Sequence, residues 1–381
     1  MRRASLWGAV AVVATGLGAA AVAERNPKDE SGVARIKGVK DVPIVKGAGY
    51  FPVLVKLKNG SLGAVIRNGD GHIGIKGRLD WIHSEDGGRT WSAPAVIVDS
   101  KWDDRNPGLG VTKDGTVVMA YAEARTYNAQ GKWDTSCGKY AMYYVLSTDH
   151  GRTWSKKIEL CPELFYSGSP YGRIILLRDG TSLMQIYTWE RKPKAPGERP
   201  VKTPNRVGIL RSVDNARTWG DWSVVATGYN EISLAEVPDG RLVAAMRSER
   251  GDTGVCESTD KGRTWTKART ITKVSHHPPD ILLLESGALL MPYGCRLVPR
   301  GVQAILSDDG GKTWSFDRRV FLAWGALNTD CGYPSAVQLS DGTIVTLYYA
   351  VGTSDLAGRQ GRCVRFTERQ LRQAMAPAKA P

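Results

Sequence analysis

NEISLAEVPDGRLVAAMRSERGDTGVCESTDKGRTW, residues 230–265, holds two signals whose recurrence decides the fold. The first is a pair of apolar, alternating runs around Pro238-Asp239-Gly240, the pattern of a β-hairpin. Asp and Gly suit its turn because both tolerate the positive φ angles that tight turns require. Counting outward from Asp239, Glu231 falls opposite Arg247, so a carboxylate and a guanidinium meet at the hairpin's open end. The second signal is STDKGRTW (258–265). Its Asp can accept backbone N–H bonds inside a tight turn, its Gly supplies a conformation a Cβ resists, and its Thr hydroxyl adds a local bond. The Trp anchors the strand that follows.

Both signals recur along the chain. Hairpins of the first kind surround Asn59-Gly60, Asp114-Gly115, Asp179-Gly180, Asp239-Gly240, Ser286-Gly287 and Asp341-Gly342. The second kind follows the first five, as SEDGGRTW (84–91), STDHGRTW (147–154), SVDNARTW (212–219), STDKGRTW (258–265) and SDDGGKTW (307–314). Repeats of roughly 45–65 residues with about four strands each indicate a β-propeller, here all-β and six-bladed. Ala216 stands where the other copies carry Gly, so that turn is expected to be strained. The Asp residues of these turns are read as structural.

The first residues have their own pattern. Arg2-Arg3, an apolar stretch from Leu6 to Val22 and Ala21-Val22-Ala23 before Glu24 read as a signal peptide over 1–23. The alternative, an uncleaved anchor, has a stretch at the short end for spanning. The expectation is an exported protein, periplasmic or extracellular, with no stable membrane association once cleaved. Residues 24–41 are polar and read as a linker, 42–366 as the propeller and 367–381 as a C-terminal tail. Val42–Val45 is expected to close the ring as an edge strand of the last blade, and ERQLRQAM (368–375) is a short helical candidate.

Composition narrows the function. The net charge of +14 favours anionic partners, but the positive residues are scattered through turns rather than gathered in a nucleic-acid-binding arm. An acidic glycan or oligosaccharide is therefore expected as partner, and no nucleic acid. The six cysteines could pair in an exported chain, yet none has metal-ligand spacing, and neither a metal nor a cofactor is called for.

Strand direction identifies the working face. X-Gly turns and the SxDxGxTW turns fall on one rim, so the open hairpin ends and the long inserts lie on the other. That rim gathers Phe51, Arg67, Arg105, Arg125, Tyr171, Arg173, Glu231, Arg247, His276, His277, Tyr293, Arg296, Asp330, Tyr333 and Tyr349. Any one of these could be a surface residue at a strand end. Polar or aromatic groups on all six blades suggest a central site.

The repeats resemble those of the sialidase superfamily, whose members carry such Asp-boxes on six-bladed propellers; the resemblance covers roughly 42–366. It implies three arginines clamping a substrate carboxylate, a Tyr paired with a Glu as nucleophile, and an Asp in a first-blade loop as acid/base. Glu231 and Arg247 match the Glu and the second Arg; Tyr333 in DCGYPSAVQLSDG matches the nucleophile. Arg296 in YGCR is favoured over Arg300 for the third Arg. Two departures stand out. Gly49-Tyr50-Phe51-Pro52 replaces the family's Arg-Ile-Pro, leaving Arg67 or Arg105 as substitutes, and Asp70, His72 and Asp80 compete as acid/base. His72 and His276-His277-Pro278-Pro279 lie outside the family pattern, and three of five histidines on one rim suggest a role in catalysis or binding.

The function expected is an exported sialidase-like (exo-α-sialidase-like) glycoside hydrolase acting on an acidic sugar. In it Tyr333 attacks, Glu231 activates, Asp70 or His72 protonates the leaving group, and Arg247 and Arg296 hold the carboxylate. Arg67, Arg105, His276, His277, Tyr293 and Phe51 complete the binding set. The alternatives are a propeller lyase or noncanonical hydrolase of uronate-containing polysaccharide, in which a Tyr/His pair abstracts the C5 proton, and a non-catalytic glycan-binding propeller.

Overall fold

The computed structural model describes residues 29–192 and 201–377; the stretch read as a signal peptide and much of the basic segment 191–204 lie outside them. Six antiparallel blades form a ring, as the repeat count implies. Blade four shows the plan: Tyr229–Glu236 innermost, then Leu242–Ser248, Thr253–Ser258 and Arg269–Thr270. Leu242 pairs with both Glu236 and Ser258, so the hairpin turn and the Asp-box turn share one rim.

The turn chemistry is as local as the sequence suggests. Asn59, Asp114, Asp179, Asp239 and Asp341 each accept the backbone N–H two residues on, at 2.9–3.1 Å. In the Asp-boxes the Asp accepts the Thr N–H and hydroxyl, while the leading Ser accepts the N–H of the Gly position, as in Ser258, Asp260, Gly262 and Thr264. Ala216 keeps the same bond to Ser212, 3.0 Å, at φ 65°, a left-handed conformation unfavourable for a residue with a Cβ.

There is no single central core. Six apolar clusters fill the six gaps between neighbouring blades; Val53, Leu79, Trp81, Leu109 and Met119, for instance, join blades one and two. Asp41–Lys46 pairs with Arg359–Thr367 and completes blade six from the other end of the chain, closing the ring. Two segments pack more tightly than the sequence suggests. Within the expected linker, Ala34–Arg35 adds a parallel strand to blade five and Glu30 is buried against Arg319, Lys273 and Gln303. In the expected tail, Glu368–Met375 is a helix with a Thr367/Gln370 capping box, and Leu371 and Met375 bury beside Ile36. All six thiols are unpaired and five are buried.

A repeated irregularity shapes the open rim. In blades one, two, four, five and six the inner strand carries one extra residue against its neighbour. The bulged pairs are Phe51-Pro52, Asn106-Pro107, Asn230-Glu231, His277-Pro278 and Tyr333-Pro334. In blade three the inner strand instead breaks after Pro170, and Gly172–Arg173 pairs in parallel with blade two. Phe51, Asn106 and Tyr333 take φ values of 50–54°. Bulges redirect side chains beside sites, and here they bring Phe51, Tyr333 and Glu231 together from three blades.

Candidate active site

Glu231 is the hub of the depression. It lies in the blade-four bulge, opposite Arg247, whose neighbours Met246 and Ser248 pair with Ile232 and Tyr229. Arg247 Nη1 donates to Glu231 Oε2 at 2.8 Å, and Tyr333 Oη, from the blade-six bulge, donates to Oε1 at 2.6 Å. Arg247 Nη1 also lies 3.3 Å from Tyr333 Oη. Burial pushes the Glu231 carboxyl up, but the Arg247 charge and the bonds from Tyr333 and Arg247 outweigh it and hold it below the usual range. Burial and the adjacent Glu231 charge push the Tyr333 phenol well up. The pair therefore rests as a carboxylate accepting a phenol's hydrogen bond, and any nucleophilic use of Tyr333 passes its proton to Glu231.

Arg296 completes the cationic side. Its guanidinium lies 5.9 Å from the centre of the Tyr333 ring, and its Nε and Nη2 are buried without a hydrogen-bond partner among the described residues; so is Arg247 Nε. Buried, unpaired guanidinium N–H groups are costly, and two beside each other suit a bidentate anion. His277 faces them. Burial, then the charges of Arg247 and Arg296, push it down to about 2, so it is neutral there.

The opposite wall is aromatic. Phe51 lies 4.8 Å from Tyr333 and 4.9 Å from His72, ring centre to ring centre, with Tyr50, Tyr171 and Tyr349 in the same cluster. His72 Nδ1 is 2.7 Å from Asp330 Oδ1, which also accepts from Tyr349 Oη at 2.7 Å, while Tyr50 Oη donates to Oδ2 at 3.1 Å.

The structure thus brings together Glu231, Arg247, Tyr333, Arg296, His277, Phe51 and His72. Other expected residues are placed elsewhere. Arg67 is fully buried, donates twice to Asp103 at 2.6 and 3.0 Å, and reaches the carbonyls of Gly71 and Gly74, so four of its five N–H donors are taken and none is exposed to a substrate. Arg105 is tied to Asp103 at 3.0 Å and to the His72 carbonyl at 3.3 Å, and only its Nε lacks a partner. Its guanidinium lies 5.9 Å from the Phe51 ring centre. Tyr293 is fully buried and donates to Gln303, and His276 is enclosed by Tyr293 and Phe316, pushed down to about 4 by burial. Both lie behind the pit wall. Asp70 turns onto its own loop, accepting Gly71 N–H at 2.8 Å and Lys76 N–H at 3.3 Å. Asp80 is buried against Asn68 and Arg78.

Sequence reasoning missed a pocket of about 240 Å³ beside the pit, lined by Trp133, Tyr140, Tyr187, Trp189, Asn205 and Asn230. Asn230 is the bulge partner of Glu231, and Tyr187 accepts from Asn106 at 2.8 Å. A usable signal was present: in four of the five bulges the first bulge residue is followed by a proline, which cannot donate to a strand ladder and is confined to edges and bulges.

Comparison with known proteins bears on the fold and the family. Residues 103–348 match the BNR repeat-like domain. A sialidase of Bacteroides fragilis is 26% identical over 311 residues, covering 70% of this chain and 52% of its own. One of Paraclostridium sordellii is 24% identical over 202 residues, 48% of each chain. The chain thus spans about half the length of these curated relatives. Among solved structures, a Dyadobacter fermentans protein of unknown function superposes with a TM-score of 0.71 at 23% identity, over 87% of this chain and 100% of its own. The Hadza microbial sialidase Hz136 gives 0.65 at 23%, over 83% and 65%. At these identities the structural likeness speaks for fold. Taken with the match over most of its length, it shows that the chain belongs to the BNR repeat-like domain family, within the sialidase-like superfamily of six-bladed propellers.

Proposed function

We propose that the protein is a sialidase-like glycoside hydrolase that releases an acidic sugar from a glycan through a tyrosyl intermediate. The observation that carries this reading is the 2.6 Å hydrogen bond from Tyr333 to a Glu231 carboxylate pinned by Arg247. A phenol so placed is a latent nucleophile, because its proton has a base to go to as the bond to the anomeric carbon forms. Arg247, about a quarter exposed, and Arg296 place their charges beside Glu231 for the sugar carboxylate, which fixes the anomeric carbon over Tyr333 Oη. The aromatic pocket beside Asn230 suits the apolar face of a sugar ring. The sialidase names of the relatives support the reaction class. The apolar stretch before Glu24 supports export to the periplasm or beyond.

The test is covalent trapping. Fluorinated glycosyl fluorides of 2-keto-3-deoxy sugar acids and of hexuronic acids, incubated with the whole protein, are expected to label one peptide containing Tyr333. Wild-type protein that turns over an acidic glycoside yet never acquires a label on Tyr333 overturns the mechanism. An unsaturated, ultraviolet-absorbing product from a uronate polysaccharide identifies a lyase instead.

A further inference from the structure

We propose that His72, positioned by Asp330, is the group that protonates the departing glycosidic oxygen and then deprotonates the incoming water. The proposal deepens the hydrolase reading above and rests on it. A hydrolase with a tyrosine nucleophile needs a separate proton donor, and neither first-blade carboxylate is available. Asp70 accepts amides of its own loop, and its carboxylate lies where a Cβ on Gly74 would stand, 2.1 Å away. Asp80 is fully buried and bonded to Asn68 and Arg78.

His72 has what they lack. Two guanidinium groups secure the backbone around it: Arg67 donates to the carbonyls of Gly71 and Gly74, and Arg105 to the carbonyl of His72 itself, at 3.3 Å. Its ring stands edge-on to Phe51, 4.9 Å between centres, and lies 6.5 Å from the Tyr333 ring, centre to centre, which puts the imidazole beside the nucleophile's ring. The groups facing it are Asp330, Tyr50, Tyr349 and Tyr333, with the Arg105 guanidinium at its backbone. Burial raises the Asp330 carboxyl, but the bond and charge of His72 and the hydroxyls of Tyr349 and Tyr50 bring it below the usual range. An ionised Asp330 accepts a hydrogen bond from Nδ1–H of His72, at 2.7 Å, which leaves Nε2 to exchange protons in the pit. His72 is about one-third exposed, so Nε2 can re-equilibrate with solvent between turnovers.

The steps balance. In the first, Tyr333 Oη bonds to the anomeric carbon and its proton passes to Glu231. The carbon–oxygen bond to the leaving group breaks with its electron pair, and that oxygen takes the His72 proton. In the second, water adds to the anomeric carbon and gives its proton to neutral His72; the tyrosine oxygen leaves and recovers its proton from Glu231.

The experiment compares paired methyl and 4-nitrophenyl glycosides of 2-keto-3-deoxy sugar acids and of hexuronic acids on wild type, His72→Ala, His72→Asn and Asp330→Asn. Both His72 variants are expected to lose about 10²–10⁴-fold on the methyl glycoside. The loss of the labelling rate with the 4-nitrophenyl partner, which needs little protonation, is expected to be far smaller. Azide is expected to restore turnover of the intermediate as a glycosyl azide. Asp330→Asn loses the acceptor that holds Nδ1–H, so it is expected to lose more on the methyl than on the 4-nitrophenyl glycoside. Equal losses on both leaving groups without azide rescue, with Tyr333 still labelled, overturn the assignment of His72 alone. The same selective loss in Asp70→Asn with His72→Ala unaffected does so too. Absence of any label in wild type overturns the nucleophile and this proposal with it.

Discussion

At the scale of single residues, Glu231 decides the order of effects. It receives Tyr333 and Arg247 through its two oxygens, so loss of either partner is felt by the third. Tyr333→Phe removes the attacking oxygen, and turnover is expected to fall by about three orders of magnitude or more with substrate binding retained. Arg247→Met is expected to weaken binding ten- to a hundredfold, since a charge-assisted hydrogen bond is worth about 1.5–3 kcal/mol. It has a second, diagnostic effect. Arg247 holds the Glu231 carboxyl below its ordinary value, so the base is ionised throughout the neutral range and lost only as pH falls through that lowered pKa. Without Arg247 the pKa rises, and the acidic limb of the residual kcat/KM moves up in pH; a limb that stays put would mean Glu231 is not the base. Phe51 sets a further expectation. It stands where the sialidase pattern has its first Arg, and Arg67 is too fully occupied by Asp103 to replace it. Simple sialosides should be hydrolysed poorly and another acidic sugar better. Sialoside turnover at about 1–1000 per second refutes this.

At the scale of elements, the bulges matter more than the hairpins that carry them. Tyr333 reaches Glu231 because its strand bends where blades five and six approach backbone to backbone. Gly332 has φ 104°, and a Cβ there would meet the Gly294 Cα at 2.8 Å. Gly332→Ala is expected to cost about 1–3 kcal/mol and to lower activity by displacing the bulge. Gly342→Ala, in an open turn at φ 79° with nothing within reach, should cost about 1 kcal/mol and leave kcat unchanged. Equal effects of the two on kcat would remove the bulge from the argument; denaturant midpoints beside kinetics separate the cases.

At the scale of the whole molecule, stability is spread around a ring closed by the strand Asp41–Lys46, and the other rim carries a pH sensor of its own. The five Asp-box carboxylates all sit below the usual range, held there against any burial by hydrogen bonds from Thr and Ser in their turns. Groups with lowered pKa values stabilise fully above their unfolded value, 3.8, and lose that contribution as pH falls through the folded values. Melting temperature is therefore expected to drop steeply below about pH 4. A melting temperature flat from pH 5 to 2 would show that these turns contribute little.

Local chemistry is what the sequence determined by itself. Each Asx turn and each Asp-box closes within a few residues, so its meaning does not depend on the rest of the chain. Counting such turns was enough for the number of blades and for the rim on which both kinds of turn lie. Pairing across a short hairpin likewise placed Glu231 against Arg247. Long-range competition for partners was decided only in the tertiary structure. Arg67 and Arg296 look alike in sequence, yet Arg67 meets Asp103 from the next blade, while two nitrogens of Arg296 find no partner among the described residues. Asp70 and His72 are two residues apart; one folds back on its own amides, and the other meets Asp330, 258 residues away. Even the way Tyr333 and Glu231 meet depends on bulges in their strands, only one of which a proline marks. For Arg67 and His72 the carboxylate that takes the side chain comes from another blade, and only the closed ring brings it within reach.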